Sequence, residues 1–374
     1  MTKLHVAIGA VTGVTGGPAT YARELVSALA ALDDATLELS VLTDRPDLLG
    51  DTTRVRVLHL PLRSPWAQPW WDNAAVPWAL RRLAPDVYHG TKHALPLAGL
   101  SRRIGAVVTI HDLAVMAEPD TFARAQRVQL AVHLRHAARR ADRVICVSRH
   151  AARDVEERLG VAADRITVVP HGISPRFAPI ADAARRRAIR RRWAPEGAHL
   201  VSFVGTAQPR KRVEVAVQAI ERLRGEGMPV VLVIAGRRRP GYEPSWMSTP
   251  PACVRLAGEL SPEELVELYA ASDLMVSPSS FEGFGLTFAE AMACGCPVVG
   301  VDATSVPEVV GDGGVLVERP EPALVARAIA GLLRDPAARA EVAARARARG
   351  LEFSWERAAR RTLEVYRAVA RGAP

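Results

Sequence analysis

Residues 281–300 read F-E-G-F-G-L-T-F-A-E-A-M-A-C-G-C-P-V-V-G. A strand ends near Pro278, Gly283 and Gly285 break the chain, and a helix from about residue 286 to 293 leads to a strand at 297–301. Two glycines at a strand-to-helix turn let backbone N–H groups approach a ligand closely. The helix start adds unpaired donors and a partial positive charge, a natural seat for diphosphate. Glu290 sits among Phe288, Ala289, Ala291 and Met292. A carboxylate there is costly unless paired or hydrogen-bonded, and ribose hydroxyls would supply donors. Glu282 lies in the loop ahead, placed to reach sugar hydroxyls on the other side of the diphosphate.

Outward from this stretch, short apolar strands alternate with amphipathic helices. That order argues for parallel sheets with helical crossovers. Strands are expected at 4–8, 37–42, 55–60, 87–89, 106–110, 144–147 and 166–169, with helices at 18–32, 122–140 and 151–159. Residues 173–179 hold two prolines and no periodicity and read as a linker; a basic segment, 185–192, follows. The alternation restarts with strands at 200–204, 230–235, 254–256 and 274–277 and helices at 213–224 and 262–270. Ser261 and Glu264 form a capping-box pattern. Helices at 322–334 and 336–349 follow, and a last one after Ser354. The fold class is α/β, with two Rossmann-like doubly wound parallel-sheet domains whose carboxyl strand ends can face each other across a cleft.

The 374 residues suit two domains of ordinary size. No secretory signal is evident, and no apolar run approaches the ~20 residues that span a bilayer. Cys146, Cys253, Cys294 and Cys296 lack Cys-x-x-Cys spacing and read as reduced core thiols of a cytoplasmic protein. The formal net charge is +9, carried almost wholly by arginine; lysine occurs only at Lys3, Lys92 and Lys211. Such a surface suits phosphorylated substrates or an anionic membrane. No nucleic-acid motif appears, so nucleic acid is not an expected partner.

Residues 204–212, V-G-T-A-Q-P-R-K-R, follow a strand and precede a helix. A lysine among so many arginines points to a compact point charge, as for a leaving diphosphate. Gly205 opens that turn and Arg210 adjoins Lys211. Charge building on the diphosphate would be stabilised by fixed cations and a helix terminus. With no Asp-x-Asp motif, metal independence is expected, and no metal ligands or cofactors are assigned.

In the first half, the glycine-rich turn at 13–17 follows the first strand. It resembles a dinucleotide turn but lacks G-x-G-x-x-G. His111 and Asp112 follow a strand end; His111 could hydrogen-bond a sugar hydroxyl, with Asp112 orienting it. Ser148 reads as an N-cap and Gly172 as the turn before the hinge. Four tryptophans, Trp66, Trp70, Trp71 and Trp78, cluster among prolines. Trp66 and Trp70 are candidates for an acceptor platform; shallow membrane contact is the alternative. Lys92 is a candidate for meeting an acidic or phosphorylated acceptor.

Glu282 and Glu290, with G-F-G between them, and the succeeding A-M-A-C-G-C-P-V-V-G resemble the Glu-x7-Glu motif of retaining GT-B glycosyltransferases of family 4. The resemblance implies that Glu290 binds the ribose and Glu282 the transferred sugar. The amides of Gly283, Phe284, Gly285 and Leu286 would hold sugar and phosphate. It implies that Lys211 grips the diphosphate. The family's arginine position is Thr206 here, so Arg210 would take over that charge. It places Gly16 and Gly17 near the donor phosphate and His111 near the donor sugar. It implies an amino-terminal acceptor domain, 1–174, rejoined by a crossing helix, 355–374, and a nucleotide-sugar domain, 175–354. The expected reaction moves a hexose from a nucleoside-diphosphate sugar to a hydroxyl acceptor with retention; the P-R-K turn favours GDP-mannose. The acceptor class is a glycan, a lipid-linked saccharide or a small metabolite. The expected location is cytoplasmic, with peripheral contact at the inner membrane face as an option. The alternatives are an NAD-dependent oxidoreductase using Asp44 and a non-catalytic basic membrane-surface protein.

Overall fold

Seven parallel strands make the sheet of the first unit, in the order β3-β2-β1-β4-β5-β6-β7. The computed structural model describes residues 3–11, 16–62 and 67–370, apart from the side chain of residue 125. Positions 13–15 of the glycine-rich turn, Trp66 and the last four residues of the final segment lie outside the described residues. One unit comprises the chain up to Gly172 and again from Ser354; the other is Ile173–Phe353.

The first unit runs β1 (Leu4–Ala10), α1 (Gly17–Ala31), β2 (Leu37–Thr43), β3 (Val55–His59), α2 (Gln68–Trp70), a π-helical turn (Trp71–Ala75) and α3 (Val76–Leu83). It continues through β4 (Val87–Gly90), β5 (Gly105–Ile110), α4 (Ala114–Ala117), α5 (Arg124–Arg140), β6 (Arg143–Cys146), α6 (Arg149–Leu159) and β7 (Ile166–Val168). In α1, Ala19, Ala22, Leu25, Val26 and Leu29 recur at helical spacing and are buried. Ser148 caps α6 by accepting from the Ala151 amide at 3.0 Å, and Gly160 ends it in the left-handed region. The helix expected from residue 122 begins at Arg124, because residues 119–121 form a 3-10 turn and Phe122 is extended.

The second unit holds six parallel strands in the order β10-β9-β8-β11-β12-β13. Its elements begin with α7 (Ala183–Trp193), β8 (His199–Val204), α8 (Val213–Gly225), β9 (Val230–Ala235), α9 (Ser245–Ser248), β10 (Val254–Gly258) and α10 (Pro262–Ala271). They continue with β11 (Leu274–Ser277), α11 (Leu286–Ala293), β12 (Val298–Val301), α12 (Val306–Val310), β13 (Gly314–Val317), α13 (Pro322–Arg334) and α14 (Pro336–Leu351). The capping box of α10 is present: the Ser261 hydroxyl accepts from the Glu264 amide, and the Glu264 carboxylate accepts from the Ser261 amide, both at 3.1 Å. Four elements of this unit went unread in the sequence: α7, whose arginines obscure the period; α9 and α12, of four and five residues; and the edge strand β13, of four.

The final helix, α15 (Trp355–Val369), belongs to the first unit and packs against α1 and β5. A buried chain of hydrogen bonds fixes it. Tyr366 Oη meets His89 Nδ1 at 2.7 Å, His89 Nε2 meets Thr109 Oγ1 at 2.8 Å, and Thr109 Oγ1 meets Tyr21 Oη at 2.9 Å.

Candidate functional site

Each sheet reverses its strand order beside its first strand: between β1 and β4 in one unit, between β8 and β11 in the other. Ligands of doubly wound sheets bind beyond the carboxyl strand ends at such points. The second unit's sequence-selected residues fall there; in the first unit Gly16, Gly17 and Lys92 follow β1 and β4, whereas His111 follows β5 and Trp70 lies beyond β3.

In the second unit, β8 delivers Gly205 and then a 3-10 turn, Pro209–Lys211. The turn ends at Arg212 with φ 46°. From β11 come residues 278–285 and the start of α11. The two loops are tied together. The Ser280 amide donates to the Arg210 carbonyl at 2.9 Å, and the Arg210 guanidinium donates to the Phe281 carbonyl at 2.7 Å. Lys211 Nζ donates to Glu282 Oε1 at 2.5 Å, and Arg210 lies 3.6 Å from Glu282 Oε2. Both Lys211 and Glu282 are buried. Burial pushes the Glu282 carboxyl up, but Lys211 and Arg210 outweigh it and hold it below the usual carboxylate range. Thr304 Oγ1 accepts from the Glu282 amide at 3.0 Å, and the Ser305 hydroxyl donates to the Glu282 carbonyl at 2.9 Å.

Gly285 is the N-cap of α11 at φ 93°, a left-handed conformation that favours glycine. Gly285 supplies no side-chain cap to the first-turn amides. Glu290 is half-buried on α11, and the hydroxyl of Tyr269, on α10, donates to its Oε2 at 3.4 Å. Close backbone approach also shapes the floor: a Cβ on Gly236 would fall 2.2 Å from the Gly205 carbonyl oxygen.

Lys211, Arg210, Glu282, Gly205 and the 283–286 turn are thus brought together, with Glu290 on the helix that the turn opens. The contact between Lys211 and Glu282 was not expected; the sequence reading sent one to the diphosphate and the other to the sugar. Tyr269, Thr304 and Ser305 went unread. Only the capping-box helix hinted at Tyr269. Arg237 and Arg238 face Glu259 and Glu243, at 2.7 and 3.3 Å.

In the first unit, His111 follows β5 and is buried. Its Nε2–H donates to the Thr91 carbonyl at 2.8 Å. That bond fixes the tautomer and leaves Nδ1 as an acceptor. His111 stacks on His171, with ring centres 5.5 Å apart and planes 11° apart, and meets Tyr21 and His93 edge-on. Burial, then His93 and His171, hold the His111 pKa well below its ordinary value, so the ring is neutral. Burial pushes His171 and His89 down to about 3. The expected orienting role of Asp112 is corrected: its carboxylate accepts from the Ala114 amide at 3.0 Å, and the Thr91 carbonyl orients His111. His171, in P-H-G, went unread because only the fold brings it to His111.

Gly16 caps α1 at φ 115°, and Gly17 begins the helix. Lys92 is half-buried and donates to Gln68 Oε1 at 3.1 Å. Burial lowers its pKa, against the attraction of Asp72 and Asp44. Trp70 and Trp78 are exposed, whereas Trp71 is buried and donates to the Leu60 carbonyl at 2.9 Å.

Two doubly wound α/β units, one holding a cation turn and two acids at its switch point, have the architecture of the GT-B fold. Residues 185–349 match the family described as Glycosyl transferases group 1, and residues 15–177 match Glycosyltransferase Family 4. O-antigen chain mannosyltransferase B of Escherichia coli is 31% identical, the match covering 78% of this chain and 76% of that protein. D-inositol 3-phosphate glycosyltransferase of Xylanimonas cellulosilytica is 30% identical over 97% of this chain and 94% of its own. The crystal structure of HepE from Anabaena in complex with UDP-glucose shares the fold, at a TM-score of 0.75 and 18% identity, covering 97% of this chain and 99% of that one. The chain belongs to the family 4, group 1 glycosyltransferases. That membership sets aside the oxidoreductase reading of Asp44 and the non-catalytic reading.

Proposed function

We propose that the protein moves a hexose from a nucleoside-diphosphate sugar to a hydroxyl acceptor with retention of configuration and without a metal ion. The reading rests on one observation: a buried Lys211 beside Glu282, at the glycine-opened start of the helix that carries Glu290. Lys211, Arg210 and the amides of residues 283–286 bind the diphosphate. Glu290 accepts from the ribose hydroxyls, and Glu282 from those of the hexose. Gly205 leaves room beside Lys211 for the phosphate. The bond from the anomeric carbon to the phosphate oxygen breaks, and that oxygen takes the proton of the attacking hydroxyl. Fixed cations stabilise the charge that grows on the leaving group. Glu282 is engaged with Lys211 and Arg210, which suits a binding role and not attack on the sugar.

In the first unit, Nδ1 of His111 accepts from a hydroxyl of the hexose, and Gly16 and Gly17 approach the donor phosphate. Lys92 suits a phosphorylated or acidic acceptor, a class represented by the inositol phosphate in a relative's name. GDP-mannose is the favoured donor, in keeping with the mannosyltransferase relative. We assign the reaction to the cytoplasm, a compartment that suits four free, buried cysteines.

A thermal-shift panel of GDP, UDP and ADP sugars, with NAD as control, tests the reading, followed by donor hydrolysis with the best binder. One nucleotide sugar raises Tm by several degrees, as a ligand selective for the folded state does, and is slowly hydrolysed. A shift with NAD alone contradicts the proposal.

A further inference from the structure

Large hydrophobic side chains are unevenly exposed over the first unit. Trp70 is 62% exposed, Trp78 47%, Leu97 43%, Val128 61% and Val132 50%. Among the described residues these are all the exposed large hydrophobics of that unit, and they fall within one stretch, 70–132. The segments that carry them are joined. The Leu97 amide donates to Asn73 Oδ1 at 2.7 Å, His136 Nε2 meets the Pro96 carbonyl at 2.9 Å, and Arg140 reaches the Ser101 carbonyl at 3.2 Å. The loop after β4 therefore ties the π-helical turn and α3 to α5. Between Trp70 and Trp78 lies an apolar cavity of about 440 Å³, completed by Leu60, Pro61, Ala74 and Ala75.

The charged side chains of α3, the loop after β4 and α5 are all basic, whereas Glu118 and the exposed Asp120 lie just ahead of α5. α3 ends in Arg81 and Arg82, with the Arg82 guanidinium 4.0 Å from the Trp78 ring centre. Arg102 and Arg103 are exposed on the loop. α5 reads RAQRVQLAVHLRHAARR, with five arginines and no acid. The one acid between Gln68 and Leu83, Asp72, is buried near Lys92, and burial raises its pKa to about 6. The outer helices α6 and α15 differ: the first carries Asp154, Glu156 and Glu157, the second Glu356 and Glu364.

We infer that this face docks on the surface of an anionic phospholipid bilayer. Tryptophan favours the headgroup level of a membrane, and arginine is drawn to its negative surface potential. No helix among the described residues is long and apolar enough to cross a membrane, so the contact is peripheral. A second copy of the chain is a poorer occupant, because a two-fold contact would set arginine against arginine. The inference does not depend on the sugar-transfer reading.

Co-sedimentation with vesicles tests it, using phosphatidylglycerol mixed with phosphatidylcholine in one arm and phosphatidylcholine alone in the other. The protein pellets with the mixed vesicles, is released by salt, and stays in solution with the neutral ones. Arg81→Glu with Arg82→Glu lowers partitioning by about tenfold to a hundredfold, since each basic group near the surface is worth about fivefold. Trp70→Ala with Trp78→Ala lowers it comparably, whereas Leu256→Ala, on the second unit, leaves it unchanged. All three keep the circular-dichroism spectrum and cooperative thermal unfolding of the wild type, which separates lost docking from lost folding. Equal binding to both vesicle types, or wild-type binding by the arginine and tryptophan variants, overturns the inference. So does a dimer that Trp78→Glu splits while no vesicle binding is seen.

Discussion

The two switch points of this molecule are built alike and equipped oppositely. Beyond β8 and β11, a buried lysine and a buried carboxylate hold each other, with an arginine beside them. On and beyond the carboxyl ends of the first unit's strands, the buried His89 on β4, His111 after β5 and His171 after β7, with the half-buried His93, have their pKa values depressed by desolvation. One unit gathers charge at its strand ends, as the proposed phosphate site requires; the other gathers neutral imidazole rings. On the proposed function, the same topology would serve leaving-group stabilisation in one unit and hydroxyl recognition in the other.

The largest expected effect comes from taking away one half of the charged pair. Glu282→Gln leaves Lys211 buried without its counter-ion, and breaking such a pair costs about 3–5 kcal/mol. Calorimetry should show a lowered Tm, recovered in part by a nucleoside diphosphate that supplies the missing charge. An unchanged Tm would mean that the pair carries no weight. Lys211→Ala should lower kcat by about a hundred- to a thousandfold, the usual loss on removing one stabiliser of developing charge. Steady-state kinetics with the best donor would show it, and an effect confined to KM would assign the lysine to simple binding. Glu290→Ala should raise the Kd for the nucleoside diphosphate about ten- to a hundredfold by titration calorimetry, the worth of hydrogen bonds to a charged acceptor.

The smallest effect separates the units by pH. A histidine held neutral in the folded state stabilises it fully above the ordinary value of 6.5. That stability is lost as pH falls from there toward the folded value, about 3 for His89 and His171. The slope is about 1.4 kcal/mol per pH unit for each such proton. Asp72 opposes this with one carboxyl raised to about 6, against four lowered imidazoles. Glu282 is depressed, so its contribution is lost only as pH falls below the carboxylate range. Segment-resolved hydrogen exchange, corrected for intrinsic rates, should show 105–111 losing protection at about pH 5 while 200–212 and 274–290 keep it. Equal loss in both would erase the contrast.

Much of the second unit was legible because its site lies within continuous strand–turn–helix segments. The spacing of Glu282 and Glu290, and the rare lysine at 211, are facts of local sequence. Their pairing was not legible, because 71 residues separate Lys211 from Glu282. The edge strand β13 escaped notice since four residues carry too little alternation to stand out. In the first unit His111 was visible at a strand end, but its partners were not. Thr91 and His171 reach it from other strand ends, and no spacing in the chain announces a stack of two rings. Asp112 looked like the orienting group because it is adjacent, yet a carboxylate one residue on closes its own local turn more readily.

A crystal structure with a nucleoside diphosphate bound decides most directly whether the second switch point is the donor site. The diphosphate oxygens should lie within hydrogen-bonding distance of Lys211 Nζ and the amides opening α11, with the ribose hydroxyls on the Glu290 carboxylate. A nucleotide seated elsewhere, with Lys211 and Glu282 still closed on each other and Glu290 untouched, would contradict it.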